Sequence, residues 1–249
     1  MKKSLYLFPI IALFLIGCGH SPAAVSADMV TDPVLQQADT LKDTIVSDSK
    51  TEAAMRAMGL VEIQEQDSTI QVHLMYATPD NFMHRILYAD IHKAFALQEL
   101  AEKLKSAQTQ LKSIHPGYSL IIYDAARPVS VQREMWETAK QMGKTLYVAN
   151  PEKANGLHNY GAAVDISIID GNGRPLDMGT PVDWFGPEAH ISNEAQLVAD
   201  GKITKEQLEN RLLLRKIMKD NGFLSIRTEW WHFEIMRAKQ AKLSLKLIE

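Results

Sequence analysis

A single cysteine, Cys18, stands in a chain of 249 residues. With no second thiol there can be no internal disulfide, even in an oxidising compartment, so the fold must hold by its apolar core and by any metal it binds. The material for a core is present: 46% of the residues are hydrophobic and 23% charged, an ordinary globular composition with enough chain for one domain of fair size. The net charge of -3 gives no electrostatic grip on nucleic acid or anionic lipid, and both are set aside as partners.

The first 18 residues differ from the rest. Lys2 and Lys3 precede an apolar run over residues 5–16, and Leu15, Ile16, Gly17 and Cys18 close it. The run is short of the roughly 20 residues that a membrane-spanning helix needs, so residues 1–18 read as a secretory signal peptide. Its last four residues resemble the lipobox of bacterial lipoproteins, in which the cysteine is acylated and becomes the first mature residue. Cys18 is therefore expected to be a lipid anchor, holding the protein to a membrane of the bacterial cell envelope outside the cytoplasm. Residues 19–50, rich in Ser, Ala, Thr, Asp and Gln without a sustained period, read as a flexible tether, and residues 51–249 as the domain it carries.

Within the domain, residues 69–74 alternate in the manner of a half-buried strand. Residues 89–114 place Ile91, Phe95, Leu97, Leu100, Leu104 and Leu111 at helical spacing, and His115-Pro116-Gly117 stops the pattern. A strand over 118–123, a helix after Pro128 to about Met142, a loop over 143–156, a strand over 162–169, a helix over 204–221 ended by Gly222, and one or two strands over 223–235 complete the reading. Strands and helices mixed without regular alternation predict an α+β domain, with a mainly antiparallel sheet flanked by helices.

Three segments concentrate residues that a core does not require: residues 123–128 with Asp124, Arg127 and Pro128, residues 156–165 with His158 and Asp165, and residues 229–234 with Glu229, His232 and Glu234. Two histidines and one carboxylate are a sound ligand set for a catalytic zinc, because three protein ligands leave the fourth tetrahedral position open for water. His158, Asp165 and His232 are the expected ligands of one Zn²⁺ per chain, which would polarise a scissile carbonyl and acidify a water.

These segments resemble the D-alanyl-D-alanine dipeptidases (VanX type), within a wider group of zinc peptidases that includes D,D-carboxypeptidases and hedgehog-like and lysostaphin-like folds. The family pattern Ser-x-His-x-x-Gly-x-Ala-x-Asp, followed later by Glu-x-x-His, is matched by residues 156–165 and 229–232 except at its first position, where Gly156 replaces Ser. Residues 76–82 (Tyr76, Ala77, Thr78, Pro79, Asp80, Asn81, Phe82), Arg127-Pro128, and residues 177–183 follow the family's order too. The resemblance implies the hedgehog/D,D-peptidase-like fold and hydrolysis of D-Ala-D-Ala in cell-wall peptide turnover. It also places the catalytic Glu at Glu229, which would take a proton from the attacking water and hand it to the leaving amine.

Arg127, always charged, suits an oxyanion, or else it braces a carboxylate in the core. Asp183 suits the free ammonium of a dipeptide, or else it is a turn or helix cap. Glu234, on the strand face of His232, is the reserve base, while His73, His84, His92 and His115 read as core or surface residues and His190 and Glu188 are not taken as ligands. A D,D-carboxypeptidase or endopeptidase on peptidoglycan stems would share the zinc but leave the ammonium side open. A non-catalytic zinc-binding envelope module would need neither Glu229 nor Arg127. One geometric expectation follows from the spacing of Glu229 and His232: residues three apart in a strand face opposite ways, so a break is predicted at Glu229-Trp230, with strand resuming by Trp231.

Overall fold

The computed structural model describes residues 47–249. The expected signal peptide, the expected anchor at Cys18 and the expected tether as far as residue 46 lie outside the described residues. Ser47 to Lys50 already belong to the fold: Asp48 pairs with Arg56 at 2.6 Å and with Lys93 at 2.8 Å. Ser49 caps helix α1 (Lys50–Ala57) in a reciprocal box with Glu52.

Strand β1 (Leu60–Glu62) leads into one turn of helix, α2 (Ile63–Gln66), and pairs antiparallel with β3 (Phe95–Leu97) in a small two-stranded sheet. Strand β2 (Gln71–Val72) is shorter than the alternation of 69–74 predicts. Asp67 Oδ1 accepts from both the amide and the hydroxyl of Thr69, making a turn, and a 3-10 turn at Met75–Ala77 begins beyond it. Helix α3 runs over Gln98–Ile114 rather than from residue 89. The earlier apolar residues are buried by tertiary pairing instead: Phe95 accepts from the Ala126 amide at 2.9 Å, and Leu97 donates to the Gly161 carbonyl at 2.9 Å.

Strand β4 (Ser119–Asp124), helix α4 (Val129–Gln141), strand β5 (Ala163–Ile169), helices α5 (Glu194–Ala199) and α6 (Lys205–Asp220), strands β6 (Leu224–Ser225) and β7 (His232–Glu234) and helix α7 (Ala238–Ser244) follow. Thr204 and Gln207 cap α6 reciprocally, and Gly222 takes φ +82 beyond its end, the left-handed stop its sequence suggests. The main sheet has the order β2-β4-β5-β7-β6, with β2 parallel to β4 and every other pair antiparallel. The α+β expectation with a mainly antiparallel sheet flanked by helices is borne out.

Strand β5 lies at the centre of the sheet and every one of its residues is buried. Its register sets up the site. Asp165 sits opposite Asp124 on β4 and opposite His232 on β7, so three chemically loaded residues form one row across neighbouring strands. The register slips between Ile122 and Asp124, and the extra residue, Tyr123, turns Asp124 onto the face that Asp165 occupies.

Candidate active site

Asp165 and His232 of this row face a cavity of about 370 Å³ whose lining also includes Arg127, His158, Asp183 and Glu229. His158 comes from a 3-10 turn, Leu157–Tyr160, that ends at Gly161 with φ +67. No side chain fits there without movement: a Cβ on Gly161 would lie 2.8 Å from Leu60 Cδ2 and 3.3 Å from the Leu97 amide. The turn thus delivers His158 and lets the chain enter β5 in time to present Asp165.

Among the described residues, His158, Asp165 and His232 are the one group whose donor atoms converge as metal ligands do, all within 4.8 Å of one another. His158 Nε2 lies 3.2 Å from His232 Nδ1 and 3.4 Å from Asp165 Oδ1, and His232 Nδ1 lies 3.1 Å from the same oxygen. His158 donates from Nδ1 to the Ala125 carbonyl at 2.8 Å, which leaves Nε2 with its lone pair toward the other two. His232 has its remaining nitrogen, Nε2, 4.0 Å from Glu234 Oε2, and Glu234 is bound in turn by Arg237 at 2.5 Å. Three atoms so spaced, two ring nitrogens and a carboxylate oxygen, fit an ion with bonds of about 2.0–2.2 Å.

The electrostatics favour a cation. Burial alone would raise the Asp165 carboxyl, but the charge and hydrogen bonds of His158, joined by those of His232, hold it well below the usual carboxylate range. Burial likewise works against the charged form of His158, yet Asp165 and Asp124 outweigh it and its pKa goes up.

Glu229 stands just before β7, and its Oε2 lies 4.0 Å from His232 Nδ1. Burial pushes this carboxyl well above its ordinary value, and repulsion from Asp165 and Asp183 adds to it. The chain is bent through 230–231 and becomes strand only at His232, one residue later than expected. The predicted break is present, and it brings two residues three apart onto the same cavity. Phe233 is buried at 0% exposure and stays off the cavity, which His232 and Glu234 line; Trp231, 2% exposed, borders the cavity as well.

Arg127 is in both of the places the sequence allows. Its Nε donates to Asp124 Oδ2 at 2.9 Å, a second bond runs from Nη2 to the same oxygen, and Nη1 donates to Gln132 at 2.8 Å. Its Nη2 is 3.8 Å from Asp165 Oδ2, its guanidinium lies 5.1 Å from the Tyr76 ring centroid, and the residue lines the cavity. Asp183 is in the same cavity, accepts from the Tyr76 hydroxyl at 2.7 Å, and is pushed up to about 7 by burial and by the charge of Asp165.

A family model described as D-ala-D-ala dipeptidase matches residues 56–247. The chain belongs to the D-Ala-D-Ala dipeptidase family. The D-alanyl-D-alanine dipeptidase of Escherichia coli is 31% identical over 183 residues, covering 72% of this chain and 86% of the relative. That of Enterococcus faecalis is 26% identical over 194 residues (72% and 92%), and that of Streptomyces coelicolor 26% over 192 residues (70% and 89%). The expectation of a metallopeptidase of this family is borne out.

The family's Ser position, here Gly156, has a local reason. A Cβ at Gly156 would meet the Asn159 Oδ1 at 2.8 Å and Ala149 Cβ at 3.3 Å, so Asn159, whose Nδ2 donates to the Arg127 carbonyl, fills that space. Sequence reasoning gave no role to Asp124, Gln132, Tyr76 or Tyr88, which together fix Arg127. Tyr88 donates to Asp124 at 2.5 Å and packs edge-on to Tyr76 with centroids 5.7 Å apart. Asp124, three residues before Arg127, was the one available signal.

Proposed function

We propose that this enzyme hydrolyses the free D-alanyl-D-alanine dipeptide with one Zn²⁺ held by His158, Asp165 and His232. The observation that carries the reading is the convergence of this ligand set with Glu229, Arg127 and Asp183 on one cavity. When bound, the zinc supplies a Lewis acid that polarises the scissile carbonyl and acidifies the attacking water.

The side chains do the rest. Asp183 receives the substrate ammonium and fixes the amino-terminal residue. Glu229, a carboxylate whose burial makes it a strong proton acceptor, takes a proton from the water during attack and returns it to the leaving amine. Arg127 faces the negative charge that develops on the carbonyl oxygen, and Asp124 and Gln132 hold its guanidinium in place so that little reorganisation is needed. An acidic group at the amino-terminal side favours a dipeptidase over a peptidase that must admit a longer stem.

The lipobox-like residues ending in Cys18 support a reading of export and acylation, and an activity at the cell envelope outside the cytoplasm would suit turnover of wall-derived D,D-dipeptide. Two experiments test this reading. Incubation with D-alanyl-D-alanine and with its N-acetylated form is expected to show release of D-alanine from the free dipeptide alone. Equal rates on the two would reject the dipeptide assignment in favour of a carboxypeptidase. Metabolic labelling with a fatty acid should mark the native chain and not Cys18→Ala, and an unlabelled native chain would refute the anchor.

A further inference from the structure

Asp183 holds φ +63, a left-handed conformation that a residue other than glycine keeps only where its surroundings fix it. The segment around it, residues 177–189, has no regular structure apart from a 3-10 turn at Pro187–Ala189. Helix α6 fastens that segment from outside. Arg211 Nε donates to the Met178 carbonyl at 2.6 Å, and its Nη1 to the Glu188 carbonyl at 3.0 Å. Met178 and Glu188 flank Asp183 at equal separations in sequence, so one guanidinium closes the loop at both ends. One turn earlier on α6, Gln207 donates to Asp177 Oδ2 at 2.8 Å, and Asn210 donates to the Asp177 carbonyl at 2.9 Å.

The same guanidinium reaches the catalytic segment from behind. It lies 5.8 Å from the ring centroid of Trp230, whose Nε1 donates to Thr180 Oγ1 at 2.8 Å. Trp230 directly follows Glu229, so the stack of Arg211, Trp230 and Thr180 ties the stretch that carries Glu229 to the loop that carries Asp183. Arg211 is 1% exposed and its nearest carboxylate, Glu194, is 3.8 Å away and bonded to Arg215 at 2.5 Å. A buried arginine whose hydrogen bonds go to two main-chain carbonyls is placed for its rigid fork of donors, which lysine lacks.

We infer that Arg211 is a positioning residue for substrate selection: by closing the 178–188 loop it holds Asp183 over the cleft, and with it the preference for a free amino terminus. This rests on Asp183 as the ammonium site. The test compares the zinc-loaded full chain with Arg211→Lys, Thr180→Val and Asp183→Asn, on D-alanyl-D-alanine and its N-acetylated form.

Arg211→Lys is expected to raise KM for the free dipeptide about tenfold with kcat nearly unchanged, the pattern of lost ground-state binding, and to leave any rate on the acetylated form as it was. Thr180→Val should move KM in the same direction by about threefold, and it carries the test should Arg211→Lys fail to fold. A folded variant whose two substrates decline together, or whose kcat falls at constant KM, would overturn the role of Arg211. If Asp183→Asn leaves the free dipeptide unaffected, the ammonium site itself is wrong. If Asp183→Asn abolishes the preference while both other variants keep it, only Arg211 is wrong.

Discussion

Glu229, buried, and Asp183, half-buried, are two carboxyl groups on one cavity, and the two differ in what the loss of solvent does. At Glu229 the raised proton affinity serves the reaction. Glu229→Gln keeps the shape and removes the base, so kcat should fall by about 10²–10⁴-fold while zinc content, read by atomic absorption, stays at one per chain. Retained turnover would shift the role to Glu234.

At Asp183 the burial is a cost to the fold. Its pKa is raised from 3.8 to about 7, so the folded state holds a proton that the unfolded state releases between those values. Stability therefore declines as pH rises from about 4 to 7, and the full penalty, on the order of 2–4 kcal/mol, is present above 7. Asp183→Asn suits the left-handed backbone and removes that charge. The metal-free variant should melt higher than the metal-free native chain at pH 8 and equally at pH 4. An unchanged difference between the two pH values would contradict the burial argument.

Among the elements, the decisive ones are the irregular junctions on either side of β5 and β7. The extra residue at Tyr123 turns Asp124 toward Asp165, and the bent chain before His232 lets Glu229 share a cavity with a ligand three residues on. Gly161 is the third such junction, at φ +67 against Leu60 and Leu97. Gly161→Ala adds a methyl group where the backbone is left-handed and the space is filled, and should cost about 2–4 kcal/mol in denaturant unfolding. The loss is expected to reach the site as well, because this turn carries His158. A denaturation midpoint equal to the native one would show that the turn relaxes freely.

In the molecule as a whole, the proposed ligands join the 157–160 turn and the adjoining central strand β5 to strand β7, whose His232 lies 67 residues beyond Asp165. An ion that binds only the folded state stabilises it by mass action, and with no disulfide to share the task this link should be visible. Chelation is expected to lower the melting temperature and abolish hydrolysis, with Zn²⁺ restoring both. His232→Ala should melt at the same temperature with and without chelator. A chelator-induced shift that survives in His232→Ala would place the stabilising metal elsewhere.

The candidate ligands and carboxyl groups, and their order along the chain, can be read without the structure. His158, Asp165, Glu229 and His232 are legible because residue types that bind metal and move protons stand at spacings a core does not need. Even the break after Glu229 follows from the two-residue period of a strand. The helical spacing over 98–114 and 205–220 was legible for the same reason, since one face of each helix is buried.

Tertiary structure alone decided the rest. The apolar residues at 91–97 fit a helix by spacing, yet Phe95 and Leu97 are held by strand pairing and main-chain bonds with segments about 30 residues away on either side and more, which no local period records. Arg127 had two readings that sequence could not separate, and the structure shows it bound to Asp124 and also lining the cavity. The clamp of Arg211 on Met178 and Glu188 uses main-chain carbonyls, which every residue has and no side-chain pattern reveals.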